Sequence, residues 1–286
     1  MNYNITEKAM LASLHIRAWN ARKHDVRVSK EVDNQYSSQN AGRFNKLLAS
    51  KESLKAIQTA ISGARTFHHE QTLPWGERGE RLLPSKNYSH YSGQMRRYKQ
   101  AFDEAVDNFV NNYSNVIMEA RKALGGLFQP EDYPLASEIR DKFAFESAIS
   151  PVPVSDDFRV NIGQEAVEAI KADLQKRLEA ANSAATQDLW KRLYEVVSHM
   201  VERLSDPEAV FRDSLVGNIV KLTELLPRLN LNDDPGLEQM RRQIEATLCD
   251  YSPEQLRKDK TVRKEAVASA KSVLDLMSGY VEEVAA

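Results

Sequence analysis

The sequence predicts a mainly α protein: an elongated bundle with two long antiparallel helices and a small two-stranded sheet. Three observations predict it. Tyr98, Phe102, Val106, Phe109, Tyr113, Val116, Ala120 and Leu124 recur in steps of three and four, the spacing of one helical face. A second stripe, from Ile170 through Leu174, Leu178, Ala181, Ala185, Leu189, Leu193, Val196 and Met200 to Leu204, meets no proline or glycine. Ser13–Trp19 and Asp157–Ile162 alternate apolar and polar side chains, as half-buried strands do. The 286 residues include only 11 glycines, so the chain suits helix and is long enough for a substantial core.

Each element follows in order. Ser13–Trp19 reads as a short strand, and the same residues could open a helix. Basic residues follow in Arg22, Lys23, His24, Arg27 and Lys30, and Val32–Gly42 is polar, a loop or a helix end. Phe44–His69 has helical spacing in Leu47, Leu48, Leu54, Ile57, Ile61 and Ala64, as one helix or two broken near Ala49–Ser50. Thr72–Pro84 (TLPWGERGERLLP) is a stiff loop between helices. The Tyr88–Leu124 helix stops at Gly125-Gly126, since glycine commonly follows a helix C-terminus. A short helix is expected over Leu135–Phe145. The prolines at 151 and 153 keep Ser150–Val154 extended. Asp157–Ile162 then needs a partner for its backbone groups, and Ser13–Trp19 is the candidate.

The helix from Gln164 to Leu204 would run roughly 60 Å at about 1.5 Å per residue, so it needs a long neighbour, for which Tyr88–Leu124 is the candidate. Shorter helices are expected from Ser205-Asp206-Pro207-Glu208 to near Pro227, from Asp234-Pro235 to near Cys249, and from Ser252-Pro253 to the C-terminus, each opened by a capping residue. The organisation expected is an N-terminal α domain, 1–163, holding the small sheet and the Trp/Pro/Gly loop. A C-terminal helical region, 164–286, packs on it.

Composition narrows the function classes. A net charge of -2 argues against a dedicated nucleic-acid binder. The single cysteine, Cys249, forms no internal disulfide and fits a reducing compartment. No apolar run approaches the roughly 18 residues that span a bilayer, and no signal peptide stands at Met1–Met10. A cytoplasmic location and no membrane partner are expected. His68-His69 point to different helix faces, no phosphate-binding glycine motif is present, and Asp250 beside Cys249 disfavours a thiolate. No cofactor, metal or catalytic set is therefore expected. An unfamiliar enzyme site around Asp156, Asp157 and the loop is the least favoured reading.

Two places are candidate binding sites. In the loop, Trp75, Arg78 and Arg81 either plug the core and pair locally or form a recognition patch, since tryptophan and arginine dominate binding hot spots. On the last helix, Arg257, Lys260 and Lys264 share a face by helical spacing, as a solvated surface or a phosphate-tracking one.

Thr72–Pro84, Phe109–Tyr113 (FVNNY), Leu127–Pro134 (LF–DYP) and Pro151–Val160 (PVP–DFRV) together resemble an uncharacterised family of tailed phages and integrative mobile elements. The resemblance covers roughly residues 10–165. Members resemble neighbours of MoxR-like ring ATPases and von Willebrand factor A-type proteins, which implies an adaptor role and transfers no catalytic residue. The expected function is therefore non-enzymatic protein–protein interaction, as adaptor or modulator of a host or phage system. The partner is a protein, with a homo-oligomer also open. The alternative is a nucleic-acid-binding protein of phage replication or recombination.

Overall fold

A computed structural model describes residues 5–76, 79–154, 163–206 and 208–285. The fold is mainly α with a small antiparallel sheet. In chain order, the one-turn helix α1 (Ile5–Lys8) runs into β1 (Ala9–Arg17), followed by β2 (Arg22–His24), α2 (Val26–Gln35) and β3 (Asn45–Leu47). Helix α3 (Lys51–Glu70) leads to β4 (Leu73–Pro74) and β5 (Arg81–Pro84), then α4 (Tyr88–Asn111), α5 (Tyr113–Leu124) and β6 (Ala144–Pro151). The chain closes with α6 (Gln164–Ser205), α7 (Ser214–Leu229), α8 (Pro235–Leu248), α9 (Pro253–Lys258) and α10 (Lys260–Ala285).

These elements gather into two compact units that interleave along the sequence. One holds Met1–Ser13, His69–Tyr91 and Ala148–Ala286; the other holds Leu14–His68 and Ser92–Ser147. Neither is the 1–163 or the 164–286 segment expected from the sequence.

In the first unit, α6 buries Leu178, Ala181, Ala185, Leu189, Leu193, Met200 and Leu204. Within this unit its neighbours are α10, α7 and strand β4. Helix α10 brings Ala266, Ala270, Val273 and Met277, each at most 1% exposed. The small alanines let two helix backbones approach closely. The same core takes in Leu11, Leu73 and Leu82 from the sheet and Leu237, Ile244 and Leu248 from α8.

The chain between α6 and α7 is a second difference. Ser205 ends α6 rather than opening a helix. Arg263 donates to the α6 carbonyls of Leu204 (2.9 Å) and Arg203 (3.0 Å) and to that of Asp206. This arginine satisfies carbonyls that a helix C-terminus leaves open.

The Thr72–Pro84 loop is a β-hairpin, with Leu73 opposite Leu82 and Pro74 opposite Arg81. Strand β5 pairs with β1, Leu11 opposite Leu82, and the sheet order is β4-β5-β1-β6. The sheet therefore has four strands rather than two. The strand expected at Asp157–Ile162 lies outside the described residues.

The second unit centres on α3, α4 and α5. Helix α3 buries Leu54, Ile57, Ile61, Ala64 and Phe67. The aromatic stripe is core: Phe102, Val106, Phe109, Tyr113, Val116 and Ala120 are all buried. Asn112 divides α4 from α5, and Gly125, at φ 51, ends α5. Such a φ favours glycine. Leu135–Phe145 is a short 3-10 turn, Ile139–Lys142, followed by β6, not an α-helix. Phe143, extended just before β6, and Phe145 within it pack on Phe109 (5.7 Å between ring centres) and Phe102 (5.6 Å). Trp19 closes on Phe109 and Tyr113 at 6.1 and 6.0 Å.

Tyr113 donates to the carbonyl of Pro134 at 3.0 Å. Burial first, and the neighbouring Tyr133 second, raise its phenol from 10.0 to about 12. The folded state holds this proton more tightly than the unfolded chain. The stabilisation is therefore complete below pH 10 and lost as pH rises towards 12. Tyr113→Phe should cost about 1 kcal/mol at neutral pH and remove one late-titrating phenol. Urea denaturation and ultraviolet difference titration of the two proteins check both.

Candidate functional site

Arg22–Leu47 forms an arm on the second unit. Strands β2 and β3 pair at its base, Arg22 opposite Leu47 and His24 opposite Asn45, and α2 lies between them in sequence. Local chemistry explains the turns. Asp25 is extended (φ -98, ψ 103), and its carboxylate accepts from the amides of Arg27 (3.0 Å) and Val28 (3.3 Å), an N-cap. Ser29 Oγ donates to the Asp25 carbonyl (2.8 Å) and accepts from the Phe44 amide (3.0 Å). Asp33 closes the return loop by accepting from Ser38 Oγ, Asn40 N and Ala41 N at 2.9–3.1 Å. Those bonds, the Ala41 amide foremost, hold the Asp33 carboxyl below its usual range.

Lys46 clamps the base. It is 2% exposed. Its Nζ lies 2.5 Å from Asp132 and 3.2 Å from Asp25, and donates to the Leu127 carbonyl (3.1 Å) and Gln129 Oε1 (3.2 Å). Burial alone would push the ammonium down. The hydrogen bonds and charges of Asp132 and Asp25 outweigh it and hold Lys46 above its usual value. Asp25 shows the mirror case: burial raises its carboxyl, while the Val28 amide and Lys46 bring it below the usual range.

What the arm carries outward is a helix with no buried residue. Val28, Val32 and Tyr36 follow one another at helical intervals of four, and Val32 and Tyr36 are 45% and 71% exposed. Val26, Phe44 and Leu47 are exposed nearby in sequence. Arg22, Lys23, Arg27, Lys30 and Arg43 are exposed as well, against Glu31 and Asp33. An apolar stripe set among cations is what an amphipathic recognition helix offers. The basic run of β2 and α2 was legible in the sequence. Val32–Gly42, expected as a loop or a helix end, holds the last turn of α2, which stops at Gln35.

The residues singled out from the sequence fall in three places. Trp75 is half-buried and packs on the core of the first unit. Arg81 donates to Thr72 through Nε (2.7 Å to Oγ1) and Nη2 (3.2 Å to the carbonyl), which braces the hairpin. Arg78 lies outside the described residues, as do Asp156 and Asp157. Arg257 stands on α9 and Lys260 and Lys264 on α10, because Asp259 breaks the helix between them. Asp259 is extended, and its carboxylate accepts from Thr261 N (2.7 Å) and Val262 N (3.3 Å). The single basic face expected from helical spacing is therefore absent. Arg257 pairs with Asp213 and lies over the Phe211 ring at 5.1 Å, with Arg263 at 5.5 Å. Lys260 and Lys264 are exposed.

Among the described residues no three His, Cys, Asp or Glu side chains converge on a metal site. Burial, then Glu245, Asp250 and Glu224, push the Cys249 thiol up, against a 3.7 Å contact with the Thr223 hydroxyl. A thiol so placed is a poor nucleophile. No helix of the described residues is long and apolar enough to cross a membrane.

Lys46→Met should leave two carboxylates without their cation and cost about 3 kcal/mol. Hydrogen exchange should show the amides of Arg22–Leu47 losing protection before those of α4. Uniform loss of protection would show instead that the clamp belongs to the global core.

Compared with known proteins, the chain matches no family model, no curated protein and no solved structure.

Proposed function

We propose that the chain is a non-enzymatic protein of a tailed phage or integrative mobile element that works by binding another protein, through the arm Arg22–Leu47. The phage or mobile-element origin rests on the resemblance carried by Thr72–Pro84, Phe109–Tyr113, Leu127–Pro134 and Pro151–Val160. The observation that carries the mode of action is α2, an ordered helix of 10 residues of which none is buried. An isolated helix of that length is marginal in water. Here the Asp25 cap, the Asp33 loop and the Lys46 clamp hold it instead. Val32 and Tyr36 are thereby presented in a fixed geometry, which lowers the ordering cost of binding.

Charge selects the partner. The five exposed cations of the arm outnumber its two outer carboxylates, so the fitting surface is an apolar groove with an acidic rim. Nucleic acid is the second reading. Its support shifts from Arg257–Lys264, where Arg257 and Arg263 serve packing and capping, to the arm. The valines of α2 offer nothing to a phosphate backbone, which favours protein.

The test uses the full chain and a Val32→Glu/Tyr36→Ala variant with unchanged circular dichroism. Tagged wild type should retain a stoichiometric protein partner from host or infected cells. The variant should weaken that interaction about tenfold or more, as loss of a hot spot does, and Lys30→Glu should weaken it most at low salt. Equal retention by wild type and variant would sink the reading. Low-salt binding of labelled DNA by wild type, lost in the variant, would replace it with the nucleic-acid one.

A further inference from the structure

The first unit holds a cavity of about 690 Å³ between the end of α3, strand β5 and helices α6 and α7, within the range of small-molecule sites. Two arginines meet at its inner side. Arg192 is fully engaged: it donates to the carbonyls of Glu70 (2.7 Å), His69 (3.1 Å) and Thr72 (2.8 Å), and pairs with Asp188 at 2.7 Å. Arg81 shares the Thr72 carbonyl with it. Unlike Arg192, Arg81 has no ion pair among the described residues, and neither has Arg228 on α7. Both are only half-exposed. Half-buried guanidiniums are ordinarily paired with a carboxylate. The positive field is felt by His69, whose imidazole is pushed below its usual value by burial, then by Arg81 and Arg192. Three apolar side chains, Val196, Leu222 and Leu225, complete the wall, and the lining carboxylates Glu70, Glu195 and Glu224 are exposed.

We infer that this cavity binds a small organic anion, its phosphate or carboxylate group on Arg81 and Arg228 and its apolar body on Val196, Leu222 and Leu225. Guanidinium groups recognise both head groups through paired charge-assisted hydrogen bonds. The exposed carboxylates of the lining disfavour a highly charged ligand such as a polyphosphate. A ligand here would bridge the hairpin to α7 and stabilise the first unit by mass action.

Phenyl phosphate and benzoate present the two head groups on one apolar body, and benzyl alcohol presents the body without charge. Calorimetric titration of the full chain should give saturable binding of at least one anion and none of the alcohol. Relative affinity of the two anions identifies the head group. Arg81→Met and Arg228→Met should each weaken binding about tenfold or more. Arg81 also braces the hairpin, so Arg228→Met, which removes no hydrogen bond or ion pair among the described residues, decides the matter should Arg81→Met fail to fold. No saturation by either anion at about 10 mM, or unchanged affinity in Arg228→Met, overturns the inference. Neither result bears on the arm, which lies in the other unit.

Discussion

The ammonium of Lys46 is charged and almost wholly out of water, and the outward presentation of the arm depends on that combination. An unpaired ammonium in such a place would shed its proton or drag in solvent. Two carboxylates, a backbone carbonyl and an amide oxygen surround this one. They come from the cap of α2 and from the turn after α5, so one side chain fixes where the arm leaves the second unit. Buried ion pairs are weak evidence for net stability but strong determinants of geometry when one partner is removed. That fits an arm whose helix gains nothing from burial.

Arginine plays a comparable role in the first unit. Arg192 closes the end of α3, Arg263 closes the end of α6, and Arg81 braces the hairpin, each by donating to backbone carbonyls. The segments that carry the phage-like resemblance have structural uses of the same kind. Tyr113 of FVNNY bonds Pro134, Asp132 of the LF–DYP segment holds Lys46, and Leu73, Leu82 and Leu83 of the TLPW–RLLP segment are fully buried. What is conspicuous in those motifs is thus packing, and the arm Arg22–Leu47 precedes all of them in the sequence.

The sequence was legible where the signal is local. The extent of α6, the Gly125 stop and the Asp234-Pro235 start follow from periodicity and capping, which act over a few residues, whereas Asn45–Leu47, expected within a helix from Phe44, is strand β3. Legibility failed where the decision is made at long range. Phe145 is a strand residue and Phe143 the extended residue before it, and they meet Phe102 and Phe109. Helix α6 packs on α10, a partner that lies beyond α7, α8 and α9 in the chain. Lys46 looks like any surface lysine until Leu127, 81 residues away, supplies its carbonyl. The break at Asp259 was available in principle, since an aspartate before Lys-Thr-Val can cap a helix. It was hidden by the continuous basic run around it.

The interleaving of the two units bears on how the chain is made. Synthesis proceeds from the N-terminus, and domains fold as their residues emerge. Every segment of the second unit has been made by Ser147, before the first residue of α6 at Gln164. The second unit can therefore close early. Leu11, Leu73 and Leu82 must wait for the helices that cover them, and the carbonyl of Glu70 waits for Arg192, 122 residues later. A nascent chain would thus carry one finished body and an uncovered apolar hairpin side by side. That hairpin is the stretch of the growing polypeptide most in need of shelter until α6, α7 and α10 arrive.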